Sequence, residues 1–397
     1  MQQVHAQRPR RCRPRLLAVT ILAAAVVMLC AAPAAYAAGV TCVLSAATVD
    51  YGQPVTVTGV VDPVAAGQPV TVALDGVAVA SATTDASGQF TASFTPTQGG
   101  AVAAVLADGT SSTPATLAVT PVVGVKVLRV VFWSSVTMNV TISPDTYAGP
   151  IVVTVLHRGR QVGQVQVTAT GKLTSVRMPV RGVGPFSIKV SLPAWNGLAA
   201  QDAAGKFAVR AHRIVAGSRG DQVKALLRAL VALRFRVPGV SSFMSTAGTQ
   251  AILAFQKAYG LPRTYVFDGD DWRKLETAAL LKPRHSKPAL HIEIDKTRQI
   301  LMVVRDGSPL GILAVSTGAT GNTPEGTHSI EWKAYSAPTP YGGLLYWDMQ
   351  FAPGFAMHAY PSVPAYPASH GCVRQANWVA PWTYSVSVVG ETVYVFH

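Results

Sequence analysis

The residues best equipped for covalent chemistry lie in the last third of the chain. The block Ser369-His370-Gly371-Cys372-Val373-Arg374 sets a thiol beside one imidazole, and His358 precedes Cys372 by fourteen residues. A cysteine nucleophile needs a base to generate thiolate, donors for the developing oxyanion, and access. A free thiol with a pKa of about 8.5 is only a few per cent ionised at neutral pH. A neighbouring imidazole supplies the missing basicity, or forms a thiolate–imidazolium pair. Gly371 leaves room beside the sulfur for backbone N–H groups to face a substrate carbonyl. Residue types alone leave three readings open: a Cys–His dyad, a buried structural thiol, or a zinc site built from His358, His370 and Cys372.

Chemistry of this kind needs rigid elements to hold it. From His291 onward the pattern is β, with strands predicted over 292–294, 300–304, 312–315 and 392–396, and Asp306-Gly307 turning between the second and third. Trp332, Tyr335, Tyr341, Tyr346 and Trp347 form an aromatic-rich stretch that either roofs a peptide groove or simply packs. His291 and His328 lack carboxylate or cysteine neighbours at ligand spacing and read as structural.

Upstream, 397 residues exceed one compact core. The predicted architecture is multidomain and mainly β. Residues 39–120 alternate apolar and polar positions between turn residues, with strands over 55–58, 70–73 and 89–94. This spacing fits a β-sandwich, and residues 38–120 resemble bacterial immunoglobulin-like domains. Residues 121–213 repeat the style, with strands over 125–131, 151–156 and 186–190, and predict a second sandwich. Near Gly217 the period becomes helical: Val223, Leu226, Leu227, Leu230 and Leu233 share one face, with Ser218 or Asp221 available as a cap. A second helix carries Ile252, Phe255 and Tyr259 and stops at Gly260; Trp272 and Leu275 mark a third. Residues 281–288, with two prolines, read as a linker.

The N-terminus reads as an export signal. Arg8, Arg10, Arg11, Arg13 and Arg15 precede an apolar run over 16–29, and Ala35-Tyr36-Ala37 fits an A-x-A cleavage site. An uncleaved anchor is the alternative, and only then is a membrane a partner. Removing 1–37 takes five positive charges from a chain of net charge +14 and leaves +9. A basic exported protein is drawn to anionic wall polymers, although a generally solvated basic surface explains the charge equally well. No basic patch interleaved with aromatics suggests nucleic acid. Of four cysteines only Cys42 and Cys372 lie outside the leader, at opposite ends of the remaining chain. An unpaired thiol in an oxidising compartment needs a reason, and catalysis is one.

The stretch from His358 to Arg374 resembles the signature of the L,D-transpeptidases, the YkuD-type catalytic domain. Ser316-Thr317-Gly318 and Thr323-Pro324-Glu325-Gly326 resemble that family's strand end and turn, and the likeness spans 289–397. It implies an enzyme of cell-wall biogenesis, exported and wall-associated, that joins peptidoglycan stem peptides by 3→3 cross-links. No metal or other cofactor is implied. Carried over by position, Cys372 is the nucleophile, His358 the general base and acid, and the Ala359 carbonyl orients that histidine. Gly371 and Cys372 supply oxyanion donors, while Ser369, His370 and Arg374 shape the pocket. An L,D-carboxypeptidase with water as acceptor, or a wall-binding scaffold with a dead domain, are the competing readings. Residues 216–280 resemble the peptidoglycan-binding three-helix domain through Gly217-Ser218-Arg219-Gly220-Asp221-Gln222-Val223, Ala251-Ile252, Phe255-Gln256, Gly260-Leu261 and Trp272. They depart from it where Gly248 replaces the usual threonine and the preceding Asp-Gly pair is missing.

Overall fold

A computed structural model describes residues 39–339 and 342–397. The export signal and Tyr341 lie outside the described residues.

The alternating N-terminal strands bury one face each. In the strand Val55–Asp62 the inward residues Val55, Val57 and Val61 are sealed, while Thr58 and Asp62 face water. Its sheet also holds Gly39–Val40, Val43–Leu44 and Gln89–Phe94, and it accompanies a five-stranded sheet ordered Thr48–Asp50, Ala115–Thr120, Gly100–Leu106, Pro69–Leu74, Val77–Thr83. A second such pair follows. Val122–Val131, Ser135–Ser143 and Leu173–Pro179 form one sheet; Arg160–Thr168, Pro150–His157, Gly184–Leu192 and Gln201–Val209 form the other. Their buried rows, such as Val136, Met138, Val140 and Ile151, Val153, Val155, are fully excluded from solvent. Each such side chain contributes roughly 1.5–3 kcal/mol.

Three helices come next: Asp221–Ala232, Thr246–Tyr259 and Gly269–Thr277. Leu226, Leu230, Ile252, Phe255, Phe267 and Trp272 share their core. Trp272 satisfies its indole N–H on the His212 carbonyl at 2.7 Å. The predicted stop at Gly260 holds, in left-handed conformation. The predicted first cap does not. Gly220 occupies that position without a side-chain bond, and Ser218 Oγ instead accepts the Val215 N–H at 2.9 Å.

The C-terminal strands form one nine-stranded sheet. Its order is Gly326–Ser329, Thr392–Phe396, Leu290–Asp295, Ile300–Arg305, Ser308–Ser316, Val373–Ala376, Phe355–Tyr360, Leu344–Ala352, Trp332–Pro338. The seam that matters joins Phe355–Tyr360 to Val373–Ala376 in parallel, with His358 opposite Arg374. A hairpin cannot connect parallel neighbours, so the chain between them must cross over. Residues 361–372 make that crossing and deliver Cys372 to the mouth of its strand.

The three-helix segment is anchored to this sheet. Arg236 N–H donates to the Ile312 carbonyl and Ile312 N–H to the Arg234 carbonyl, each at 2.9 Å, extending the sheet by a short bridge. Three side chains then grip consecutive carbonyls of the crossover. Tyr265 Oη donates to Val363, Lys257 Nζ to Pro364, and Arg263 to Ala365, at 3.1, 2.9 and 2.9 Å. The stretch 281–288 is also tied down, since Arg284 and His285 N–H both donate to the Glu293 carboxylate.

Candidate active site

Two straps hold the loop before Cys372. Ala368 and Ser369 N–H donate to the Thr317 carbonyl, and Ala319 N–H donates to that of Ser369. The turn over 321–325 is fixed from beneath by buried Lys296, whose ammonium reaches the Gly321 and Thr323 carbonyls and the Glu325 carboxylate at 2.8–3.0 Å. Thr323, itself 1% exposed, donates its hydroxyl to the Gly371 carbonyl at 2.6 Å and accepts the Gly318 N–H at 2.9 Å. Asn322 Nδ2 donates to the His370 carbonyl at 2.7 Å. Position 371 has to be glycine. Its φ is +150°, and an added Cβ would sit 2.6 Å from the Phe355 ring.

Cys372, His358, Ser369, His370 and Arg374 all line one open groove of about 620 Å³. The thiol is partly exposed and His358 is buried. His358 Nδ1 lies 2.9 Å from the Ala359 carbonyl oxygen. A carbonyl only accepts, so Nδ1 carries the hydrogen and Nε2 is the basic nitrogen. Burial lowers the imidazole pKa; the Ala359 bond works against this and the Arg374 charge adds to it. Burial also raises the thiol pKa, as does the charge of Asp348, against an N–H from Ala356 and the cation of Arg374. Both shifts favour uncharged forms. Each shift thus stabilises the thiol and the neutral imidazole over the thiolate and the imidazolium.

Two expectations change. Gly371 N–H is already engaged: it donates to Ser369 Oγ at 3.0 Å, and that hydroxyl donates in its own right to the Cys372 carbonyl at 2.5 Å. His291, thought to lack a carboxylate neighbour, has Glu293 3.5 Å from its Nε2, with both side chains in the core. Arg374 stacks on Tyr360, its guanidinium carbon 4.1 Å from the ring centre. Cys42 is a second free cysteine, packed against the first sandwich core. Among the described residues no three His, Cys, Asp or Glu side chains converge as metal ligands.

Residues 289–395 match the family model of the L,D-transpeptidase catalytic domain, YkuD. The chain is also 30% identical to an L,D-transpeptidase of known structure from Xylanimonas cellulosilytica, covering 98% of that chain and 47% of its own, with a TM-score of 0.44. Residues 289–395 are thus an L,D-transpeptidase catalytic domain. A Stackebrandtia nassauensis L,D-transpeptidase is 25% identical over 46% of this chain and 95% of its own, at a TM-score of 0.32. One from Mycobacterium smegmatis is 12% identical over 69% and 100%, at 0.26. No curated protein matches.

Two polar residues of this L,D-transpeptidase domain and its neighbour escape a reading of the sequence. Asp348 lies 3% exposed in the groove wall, and Lys257 is buried under the crossover. Asp348 occupies a strand whose alternation suggests an outward polar face. The signal for Lys257 was present: it interrupts Ala251-Ile252-Leu253-Ala254-Phe255, Ala258 and Tyr259, a helix apolar on most sides, where a solvated lysine has no face to occupy.

Proposed function

We propose that this protein is a peptidoglycan L,D-transpeptidase that forms 3→3 cross-links through a thioester on Cys372. The observation carrying this reading is the parallel pairing of Phe355–Tyr360 with Val373–Ala376, which sets His358 and Cys372 on one groove with His358 Nδ1 already committed. In the first step His358 Nε2 takes the thiol proton as sulfur attacks the carbonyl of the third stem residue, a diamino acid. The Cys372 N–H stabilises the oxyanion, Gly371 being engaged elsewhere. Collapse of the tetrahedral intermediate breaks the amide C–N bond, and the imidazolium protonates the departing D-alanine amine. A side-chain amine of a neighbouring stem then attacks the thioester and regenerates the thiol. The bias toward neutral thiol and imidazole suits this order, because charge separation is deferred until substrate has displaced water. His370 and Arg374 border the groove and shape the substrate site. The two sandwiches and the three-helix segment act as spacers and supports that present the groove to wall polymers outside the cytoplasm.

Mass spectrometry of disaccharide-tetrapeptides incubated with the protein tests the reading. Dimers and free D-alanine are expected, with none from Cys372→Ala, and a carbapenem should add its mass at Cys372. Tripeptide without dimer would instead make water the acceptor.

A further inference from the structure

A strained bulge sets a carboxylate with one buried, unpartnered oxygen on the groove that holds Cys372 and His358. Between Leu344–Ala352 and Phe355–Tyr360 the register slips: Tyr346 pairs with Ala359, yet Met349 pairs with Met357. Trp347 and Asp348 together therefore stand opposite His358. The other neighbour, Trp332–Pro338, keeps register through the same positions, so the extra residue is absorbed on the His358 side alone. Trp347 carries the strain, with a φ of +54° in a bulky residue. Such outliers concentrate where a side chain must be aimed. Asp348 lines the groove with Cys372 and His358, and its Oδ1 is buried without any hydrogen-bond partner. Among the described residues no cationic side chain pairs with it.

A lone carboxylate here opposes thiolate formation, since its charge raises the pKa of Cys372. It is a handicap in the first half of the proposed reaction. In the second half the sulfur is an uncharged thioester and the arriving nucleophile is an amine, which is a cation at neutral pH. Building on the thioester reading, we infer that Asp348 is the acceptor site, where its carboxylate pairs with the ammonium of the attacking stem and takes one of its protons. The freed lone pair attacks the thioester carbonyl carbon, the C–S bond breaks with its electrons leaving on sulfur, and the nitrogen's second proton returns to sulfur through His358. One amide, one neutral Asp348 and one thiol result. Asp348 then returns its proton to solvent.

The experiment follows how the thioester is shared between acceptors. Wild type, Asp348→Asn and Asp348→Glu are incubated with disaccharide-tetrapeptide, with and without hydroxylamine, an acceptor uncharged at neutral pH. For Asp348→Asn the dimer-to-tripeptide ratio should fall about tenfold or more, with a raised KM for the stem acceptor. The hydroxamate-to-tripeptide ratio should stay within about twofold, and Asp348→Glu should recover part of the dimer. An unchanged dimer ratio, or equal losses of dimer and hydroxamate, overturns the assignment. If Asp348→Asn does not fold, Asp348→Ser gives the same comparison. Failure of the thioester reading itself looks different: wild type would yield neither dimer nor tripeptide and take up no carbapenem.

Discussion

At the scale of single residues the groove trades stability for function. Burial lifts the Asp348 pKa to about 6, above its usual carboxylate value. The unfolded chain loses that proton first, so the carboxyl's cost is absent below pH 4 and grows as pH rises to 6. Asp348→Asn is thus expected to raise stability at pH 8 by on the order of 2 kcal/mol and to change it little at pH 4. Denaturant titrations at the two pH values check this. His358 has the opposite sense. Its lowered pKa keeps the imidazole unprotonated below the usual histidine range. The acylation kcat/KM should therefore fall on its acid side only below pH 6.5, as the base is lost by protonation. Stopped-flow carbapenem acylation reads that limb, and a midpoint above 6.5 would mean that another group governs it.

Among the elements, the crossover and the turn beneath it decide where Cys372 stands on the groove it shares with His358. Thr323→Val keeps the shape but strands the Gly371 carbonyl and the Gly318 N–H. A loss of about 1–3 kcal/mol is expected, with slower carbapenem acylation. Lys257 is the corresponding peg from the helical side. Burial lowers its pKa to about 7. Between pH 7 and about 10 the unfolded chain binds the proton that the folded chain releases, so stability rises with pH over that window and the burial cost is complete below it. Melting curves of wild type and Lys257→Met should therefore separate in favour of wild type as pH climbs from 7 to 10. Most of these elements were legible beforehand. Alternation marked Val55 and Val57 as one face of a strand, and Gly260 marked a helix end, because both follow from local geometry. Ser369-His370-Gly371-Cys372 with Thr323-Pro324 was legible through resemblance. The bulge at Trp347-Asp348 was not, since a register slip depends on the neighbouring strand. The Gly371 N–H went astray for a related reason: Ser369 competes for it inside the turn.

For the whole molecule, the helical segment and the catalytic sheet share one structure. Glu276 extends the chain of contacts upward, accepting the Val183 N–H at 2.8 Å and facing His157 and Arg158 at 3.3 Å, all in the second sandwich or its loops. A fragment of residues 289–397 loses the Tyr265, Lys257 and Arg263 bonds and the 234–236 bridge. It should melt lower than a fragment of 216–397 and acylate more slowly, which differential scanning fluorimetry and carbapenem uptake would reveal. Equal behaviour would reduce the helical segment to a spacer. One further property lies in strand order. Thr392–Phe396, which follows Cys372 in the chain, sits between Leu290–Asp295 and Gly326–Ser329. Its neighbours therefore wait with open backbone edges until residues twenty positions beyond the thiol are in place. Removing 392–396 would therefore strip both neighbours of a backbone partner, while the seam between Phe355–Tyr360 and Val373–Ala376 keeps its own pairing.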